Sequence, residues 1–91
     1  MTTERPLRIG ILGATGVVGR RICETLDRLI TARNAPITLT LFGRDQARLV
    51  RQASLLSNAT CEVVVDLRDA EGLALALAPL TLLINAAGPF A

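Results

Sequence analysis

The 91-residue sequence contains no histidine, tyrosine, tryptophan or lysine, and all ten of its basic residues are arginines. Histidine, tyrosine and lysine are among the side chains that most often transfer protons in catalysis near neutral pH. Their absence removes most general acids and bases, so we predict no catalytic residue. The chain alone is not expected to turn over a substrate.

Charge and cysteine content restrict the partners and the cellular compartment that we expect for the protein. The net charge is only +2 and aromatic residues make up 2% of the chain, which argues against a nucleic-acid partner. The two cysteines, Cys23 and Cys61, have no C-x-x-C spacing, and no metal site is predicted. We expect Cys23 to be a small buried helix residue, both thiols to be reduced, and the protein to be cytoplasmic.

Residues 72–91 carry no charge, which is long enough to raise the question of a membrane span. Pro79, Asn85 and Pro89 interrupt this stretch, and Pro79 divides it into a helical and an extended part. We therefore predict no membrane segment. The glycine-rich apolar stretch near the N-terminus lacks a small-residue cleavage site, so we do not expect it to be a leader peptide.

Apolar periodicity predicts alternating strands and helices. Strands are predicted over residues 8–12, 37–42, 61–65 and 80–85. Helices are predicted over residues 16–30, 46–56 and 70–78, with Asp45 and Asp69 as caps of the second and third. This alternation indicates an α/β fold with a parallel sheet, and right-handed crossovers give the Rossmann-like strand order 3-2-1-4.

A complete doubly wound dinucleotide fold has two halves and about six strands. The 91 residues hold four predicted strands, so we expect them to form only the N-terminal portion of one such domain, with the substrate-side residues missing. Strand four would then lie at a sheet edge, apolar on both faces. A homo-oligomer or a complementing chain is expected to cover that edge.

The segment from Gly13 to Gly19 has the spacing G-x-x-G-x-x-G and lies between the first strand and the first helix. Gly13 permits a sharp turn, Gly16 lets backbone approach a pyrophosphate, and Gly19 lets the helix pack closely on the strand. The Thr15 hydroxyl is expected to donate a hydrogen bond to the ligand or to cap the helix. The segment predicts dinucleotide binding at a helix N-terminus; a purely structural turn is the alternative.

Strand two ends in Phe42-Gly43-Arg44, where an NAD-binding domain usually carries an acidic residue for the ribose hydroxyls. Arg44 can instead bind a 2′-phosphate bidentately, so we favour NADP over NAD. The alternative is a solvated arginine paired with Asp45.

Asp66, which ends strand three, is expected to accept a hydrogen bond from the adenine amino group, with the Leu67 N–H meeting the ring. The alternative is a turn aspartate. Small residues after Asn85 leave room for the cofactor to cross the sheet edge, although Asn85 itself is equally well explained as structural.

Together the glycine segment, Gly43-Arg44, Asp66 and the ending Ala87-Gly88-Pro89-Phe90 resemble the N-terminal NADP-binding domain of saccharopine-dehydrogenase-like proteins, along nearly the whole chain. That family includes saccharopine reductases and trans-acting enoyl reductases. The resemblance implies an oxidoreductase whose cofactor contacts fall into four groups. These are Gly13, Thr15, Gly16, Val17 and Val18 at the pyrophosphate, Arg44 at the 2′-phosphate, Asp66 at the adenine, and Ala87, Gly88 and Pro89 beside the nicotinamide.

Other readings remain open. Semialdehyde dehydrogenases share this glycine turn but need a catalytic cysteine further along the chain. Short-chain dehydrogenases need a tyrosine and a lysine, which these residues lack. A non-catalytic NAD(P)-sensing module and a subunit of a split protein are two further alternatives.

Overall fold

The computed structural model describes residues 6–87, in which four strands and three helices alternate. The strands are β1 Leu7–Leu12, β2 Ile37–Gly43, β3 Thr60–Val64 and β4 Leu82–Asn85. The helices are α1 Val17–Arg33, α2 Gln46–Ser54 and α3 Ala70–Leu77. Each predicted element is present. Strand β4 begins two residues later than predicted. The Leu80 N–H still donates to the Leu77 carbonyl (3.1 Å), so Leu80 lies in the turn that follows α3.

The four strands form one parallel sheet in the order β3-β2-β1-β4, which confirms the predicted topology. Strands β1 and β2 lie at the centre, and their carboxyl-terminal halves are buried. Leu12 pairs with Phe42 on one side and with Asn85 on the other. The carboxyl ends of these strands therefore meet at one edge of the sheet, where parallel α/β folds bind their ligands.

Each face of the sheet carries its own apolar core. Ile11 and Leu41 pack with Cys23 of α1 and Leu49 of α2 on one face. On the other face, a smaller cluster forms beneath α3 around the fully buried Phe42 ring. This division follows from the alternation of side chains along a strand. Helix α3 buries none of its residues completely, so its side of the sheet is the thinner one.

The buried face of α1 differs from the one that apolar spacing predicts. The sequence predicts Val18 and Leu29 on the buried face and Asp27 on the polar face. In the structure Val18 and Leu29 are 57% and 47% exposed, whereas Asp27 is buried. Gly19 sets this rotation, because its lack of a side chain lets the helix lie directly against the glycine turn.

Asp27 fastens the loop that follows α2. Its carboxylate accepts hydrogen bonds from the backbone N–H groups of Ser57 (2.8 Å) and Asn58 (3.0 Å), and from the Asn58 side-chain amide (2.8 Å). Burial raises the pKa of Asp27, but these hydrogen bonds outweigh burial and hold the pKa below its ordinary value. Asp27 is thus a charged residue that holds the α2–β3 connection against α1.

Replacing Asp27 with alanine is expected to lower the free energy of unfolding at pH 7 by about 2–3 kcal/mol, since three partly buried hydrogen bonds lose a charged acceptor. Because the folded-state pKa is depressed, this stabilisation is present above about pH 4 and is lost as the pH falls through the folded pKa. Urea unfolding at several pH values measures it. Glu24→Ala, at an exposed acid of the same helix, is the control, and an equal loss in both variants would contradict the prediction.

Both cysteines are free thiols. Cys23 is fully buried, as predicted, and its burial raises the pKa of its thiol to about 11, so it is unreactive. Cys61 is exposed on the edge strand β3.

Within residues 6–87 no helix combines the length and apolar composition needed to cross a bilayer.

Candidate functional site

The glycine turn is tied to its neighbours through the backbone. Gly13 adopts a φ of 79°, which favours glycine, and its N–H and that of Ala14 both donate to the Phe42 carbonyl oxygen at 3.1 Å. A side chain on Gly13 would also collide with the backbone of Ala87, 2.7 Å from the Ala87 nitrogen. The turn therefore has a fixed position between the ends of β2 and β4.

The first turn of helix α1 has no capping side chain. Its N-cap position is occupied by Gly16, so no side chain accepts a hydrogen bond from the free N–H groups, and the first turn contains no acidic residue. The backbone N–H groups of Val17 and Val18 make no hydrogen bond to any residue in the range 6–87. In contrast, the Asp45 and Asp69 carboxylates cap α2 and α3, as predicted. An anion at the start of α1 would satisfy donors that the described chain leaves unpaired.

Thr15 does not cap the helix, so that part of its predicted role is not seen. Its side chain instead lines the cavity in front of the turn. The two other glycines of the turn differ sharply. A Cβ on Gly16 would have only the Gly13 oxygen as a neighbour, at 3.4 Å, whereas a Cβ on Gly19 would overlap that same oxygen. Gly16 is thus open toward the cavity, and Gly19 is a packing requirement.

Two adjoining cavities lie along the carboxyl edge of the sheet. One, of about 450 Å³, is bordered by the glycine turn, Gly43 and the alanines after β4. The other, of about 700 Å³, is bordered by the segment from Val64 to Asp69. Arg44, Val65 and Leu67 line both cavities, which therefore form one elongated groove. An extended ligand could follow this groove from the glycine turn toward β3.

Arg44 lies between the two cavities and is exposed. It forms no salt bridge with Asp45, since the one ion pair within residues 6–87 joins Arg68 to Asp66. Sequence reasoning overlooked Arg48, which lines the same cavity from the first turn of α2. The signal that could have identified it is its place in the first turn of a helix that begins directly after β2.

The Asp66 carboxylate is engaged locally. It accepts hydrogen bonds from the backbone N–H of Arg68 at 2.9 Å and from the Arg68 guanidinium at 3.2 and 3.3 Å. The side-chain and backbone donors of Arg68 hold the pKa of Asp66 below its ordinary value. Asp66 lines the outer cavity. The geometry is that of a turn aspartate, and the adenine role remains a prediction.

The segment after β4 is shaped by Asn85. Its side-chain oxygen accepts a hydrogen bond from the Ala87 N–H at 3.1 Å, and the Ala86 N–H donates to the Leu12 carbonyl at 2.8 Å. Ala86 and Ala87 therefore lie at the end of the cavity beside the glycine turn. The predicted residues Gly88 and Pro89 lie outside the described residues.

The sheet order, the glycine turn and the uncapped helix define a Rossmann-like α/β module of the nucleotide-binding type. No protein-family profile and no curated protein matches the chain. A similar solved structure is that of a short-chain dehydrogenase/reductase family oxidoreductase from Aeromonas hydrophila subsp. hydrophila, with a TM-score of 0.66 and 28% sequence identity. The match covers 90% of this chain and 40% of that protein.

The chain therefore spans less than half the length of this relative. Short-chain dehydrogenases were disfavoured above because the sequence has no tyrosine and no lysine. The absence of these two residues is no longer an argument against that family, since the match leaves most of the relative's length without a counterpart in this chain. The comparison supports a Rossmann-like fold for this chain, similar to that of an oxidoreductase. It does not show the predicted membership of the saccharopine-dehydrogenase-like family.

Proposed function

We propose that this chain is the NADP(H)-binding portion of an oxidoreductase. The observation that carries the proposal is the uncapped start of α1, whose free N–H groups adjoin a groove with open space at Gly16. A pyrophosphate supplies the acceptors that these donors lack. Titration calorimetry of the 91-residue chain with NADPH and NADH tests the proposal directly.

We assign the parts of a dinucleotide to the residues predicted from the sequence. Gly13, Thr15, Gly16, Val17 and Val18 would hold the pyrophosphate, Arg44 the 2′-phosphate, Asp66 the adenine, and Ala87 with Gly88 and Pro89 the nicotinamide side. When bound, the nicotinamide would supply a hydride. The chain's own contribution is to bind and orient the cofactor, because its residues include no predicted acid or base for the substrate.

At the family level we favour the saccharopine-dehydrogenase-like group on the residues that carry that resemblance, and a short-chain dehydrogenase relative is the competing assignment. A non-catalytic NAD(P)-sensing module would bind the cofactor equally well. NADPH oxidation by the longer protein with carbonyl and imine substrates separates an enzyme from a sensor. We place the protein in the cytoplasm, because two free thiols suit a reducing compartment.

Arg44→Ala is expected to remove the preference for NADPH over NADH. Loss of a charge-assisted pair with the 2′-phosphate should weaken NADPH binding by about 1.5–3 kcal/mol, roughly 10- to 150-fold, and leave NADH binding nearly unchanged. Calorimetric titration of both cofactors measures this. Arg33→Ala, in the last turn of α1, is the matched control. If the parent chain binds both cofactors equally, the NADP assignment is wrong.

The exposed edge of β4 leads to a prediction about assembly. Leu82 and Leu83 of this strand are 53% and 36% exposed, and Leu75 of the neighbouring α3 is 76% exposed. We expect the isolated chain to self-associate or to require a chain that supplies further strands. Light scattering tests this. A stable monomer at high micromolar concentration, with slow amide exchange across residues 82–85, would refute the prediction.

A further inference from the structure

A second groove of about 540 Å³ lies between α1 and α2, behind the glycine turn. It shares Thr15, Gly16 and Arg48 with the dinucleotide groove, and then continues along the two helices. Arg20 of α1 and Arg51 of α2 line only this second groove. The surface is therefore continuous with the proposed cofactor site but extends beyond it.

The charge of this groove is of one sign. Three arginines line it, at positions 20, 48 and 51, and no carboxylate does. None of the three has a salt-bridge partner among residues 6–87. Guanidinium groups on two facing helices create a local positive potential, and their planar donor sets match phosphate oxygens bidentately.

An unpartnered donor in the wall of the groove is the second, independent observation. Gln52 lines the groove and is only 3% exposed. Its side-chain nitrogen is buried and has no hydrogen-bond partner among the described residues. A buried amide donor without a partner is costly, and a leucine or methionine would fill the same place without that cost. Gln52 would have to turn its side chain to bring this buried nitrogen to the groove, where an anion would give it an acceptor.

We propose that the α1–α2 groove binds a phosphate monoester, held by Arg20, Arg51 and the Gln52 amide. A dianionic phosphate has the charge to match several guanidinium groups and the oxygens to accept from each of them. This site goes beyond the proposed function, because a dinucleotide lying along the sheet edge does not require Arg20, Arg51 or Gln52. The phosphate belongs to a separate phosphorylated molecule, since Arg44, in the adjoining groove, is the residue proposed for the cofactor's 2′-phosphate.

The test uses calorimetric titration of the 91-residue chain with inorganic phosphate, at constant ionic strength adjusted with chloride. The parent protein is expected to bind phosphate. Arg51→Gln should weaken that binding about tenfold and Gln52→Met about fivefold, as expected for one lost hydrogen bond to an anion. Arg33→Gln, remote from the groove, is the control and should bind as the parent does. Thermal melts should show that Gln52→Met is folded, because methionine matches glutamine in length.

Cofactor-saturated protein tests whether the groove binds a molecule other than the cofactor. If phosphate still binds in the presence of saturating NADP⁺, a separate phosphorylated molecule is the ligand. If NADP⁺ excludes phosphate while NAD⁺ does not, and Arg51→Gln weakens NADP⁺ binding alone, the groove holds the cofactor's 2′-phosphate and the proposal of a separate site is wrong.

Three other results would also overturn the proposal. These are no phosphate binding by the parent, unchanged binding by both variants, and exclusion of phosphate by NAD⁺ as well, which would locate it at the pyrophosphate position. In each of these cases NADH binding to the parent still reports on the proposed function separately.

Discussion

Gly16→Val is expected to abolish binding of NADP(H) while the protein remains folded. Gly16 is the N-cap of α1 with ordinary extended dihedral angles, and an added Cβ would have only the Gly13 oxygen nearby, at 3.4 Å. The fold therefore accommodates a side chain at this position. The branched side chain would fill the space through which a pyrophosphate must approach the free N–H groups of Val17 and Val18.

The loss should be large, because two charge-assisted hydrogen bonds of about 1.5–3 kcal/mol each are removed, which is roughly 100-fold or more in affinity. Circular dichroism and thermal melting establish that the variant is folded, and calorimetry with NADPH measures the loss. Thr38→Val is the control, because it introduces the same side chain on β2, away from the groove. A folded Gly16→Val protein with normal affinity would remove the basis of the proposed function.

Gly19→Ala is expected to have the opposite effect, a loss of folding stability that does not depend on cofactor binding. A Cβ at this position would overlap the Gly13 carbonyl and approach the Ala14 Cα to 2.9 Å, and backbone atoms cannot swing aside. We expect a loss of about 3 kcal/mol, at the upper end of overpacking costs. A chain of this size has a total stability of about 5–14 kcal/mol, so the change is substantial.

Urea unfolding of the parent and of Gly19→Ala measures this loss. Gly16→Ala is the matched control, because it adds the same methyl group three residues earlier in open space. It should change the free energy of unfolding by less than about 1 kcal/mol. If the two alanine variants are equally stable, the close packing of α1 on the glycine turn is wrong.

Sequence periodicity was sufficient for the fold because each element carried a local signal. Strands β1 and β2 are apolar and bounded by turn residues, and the caps Asp45 and Asp69 stand at the starts of α2 and α3. Right-handed crossovers then left few ways to order four parallel strands. Element ends were less certain, as at β4, because Leu80 packs under the sheet without pairing in it.

The site was harder to predict, since its details depend on packing between distant residues. Asp27 reads as a surface acid, and only the distant Ser57 and Asn58 donors explain its burial. Asp66 stands where the glycine-motif pattern expects it, yet its carboxylate is engaged by Arg68, two residues away. Arg48 carries no motif and enters the groove only because α2 begins at the end of β2.

The central position of β1 has a consequence for how this chain reaches its native state. Among the described residues, the strand made earliest is an inner one, and its outer partner is β4, with Ile9 paired to Leu82. One edge of β1 must stay open until more than seventy further residues have been synthesised, as the bond from Arg8 to Thr81 shows. Such distant pairings slow folding, because a long loop must close before any contact rewards it. Nascent chains that end before β4 thus leave one edge of an apolar strand unpaired, which favours aggregation until β4 is added.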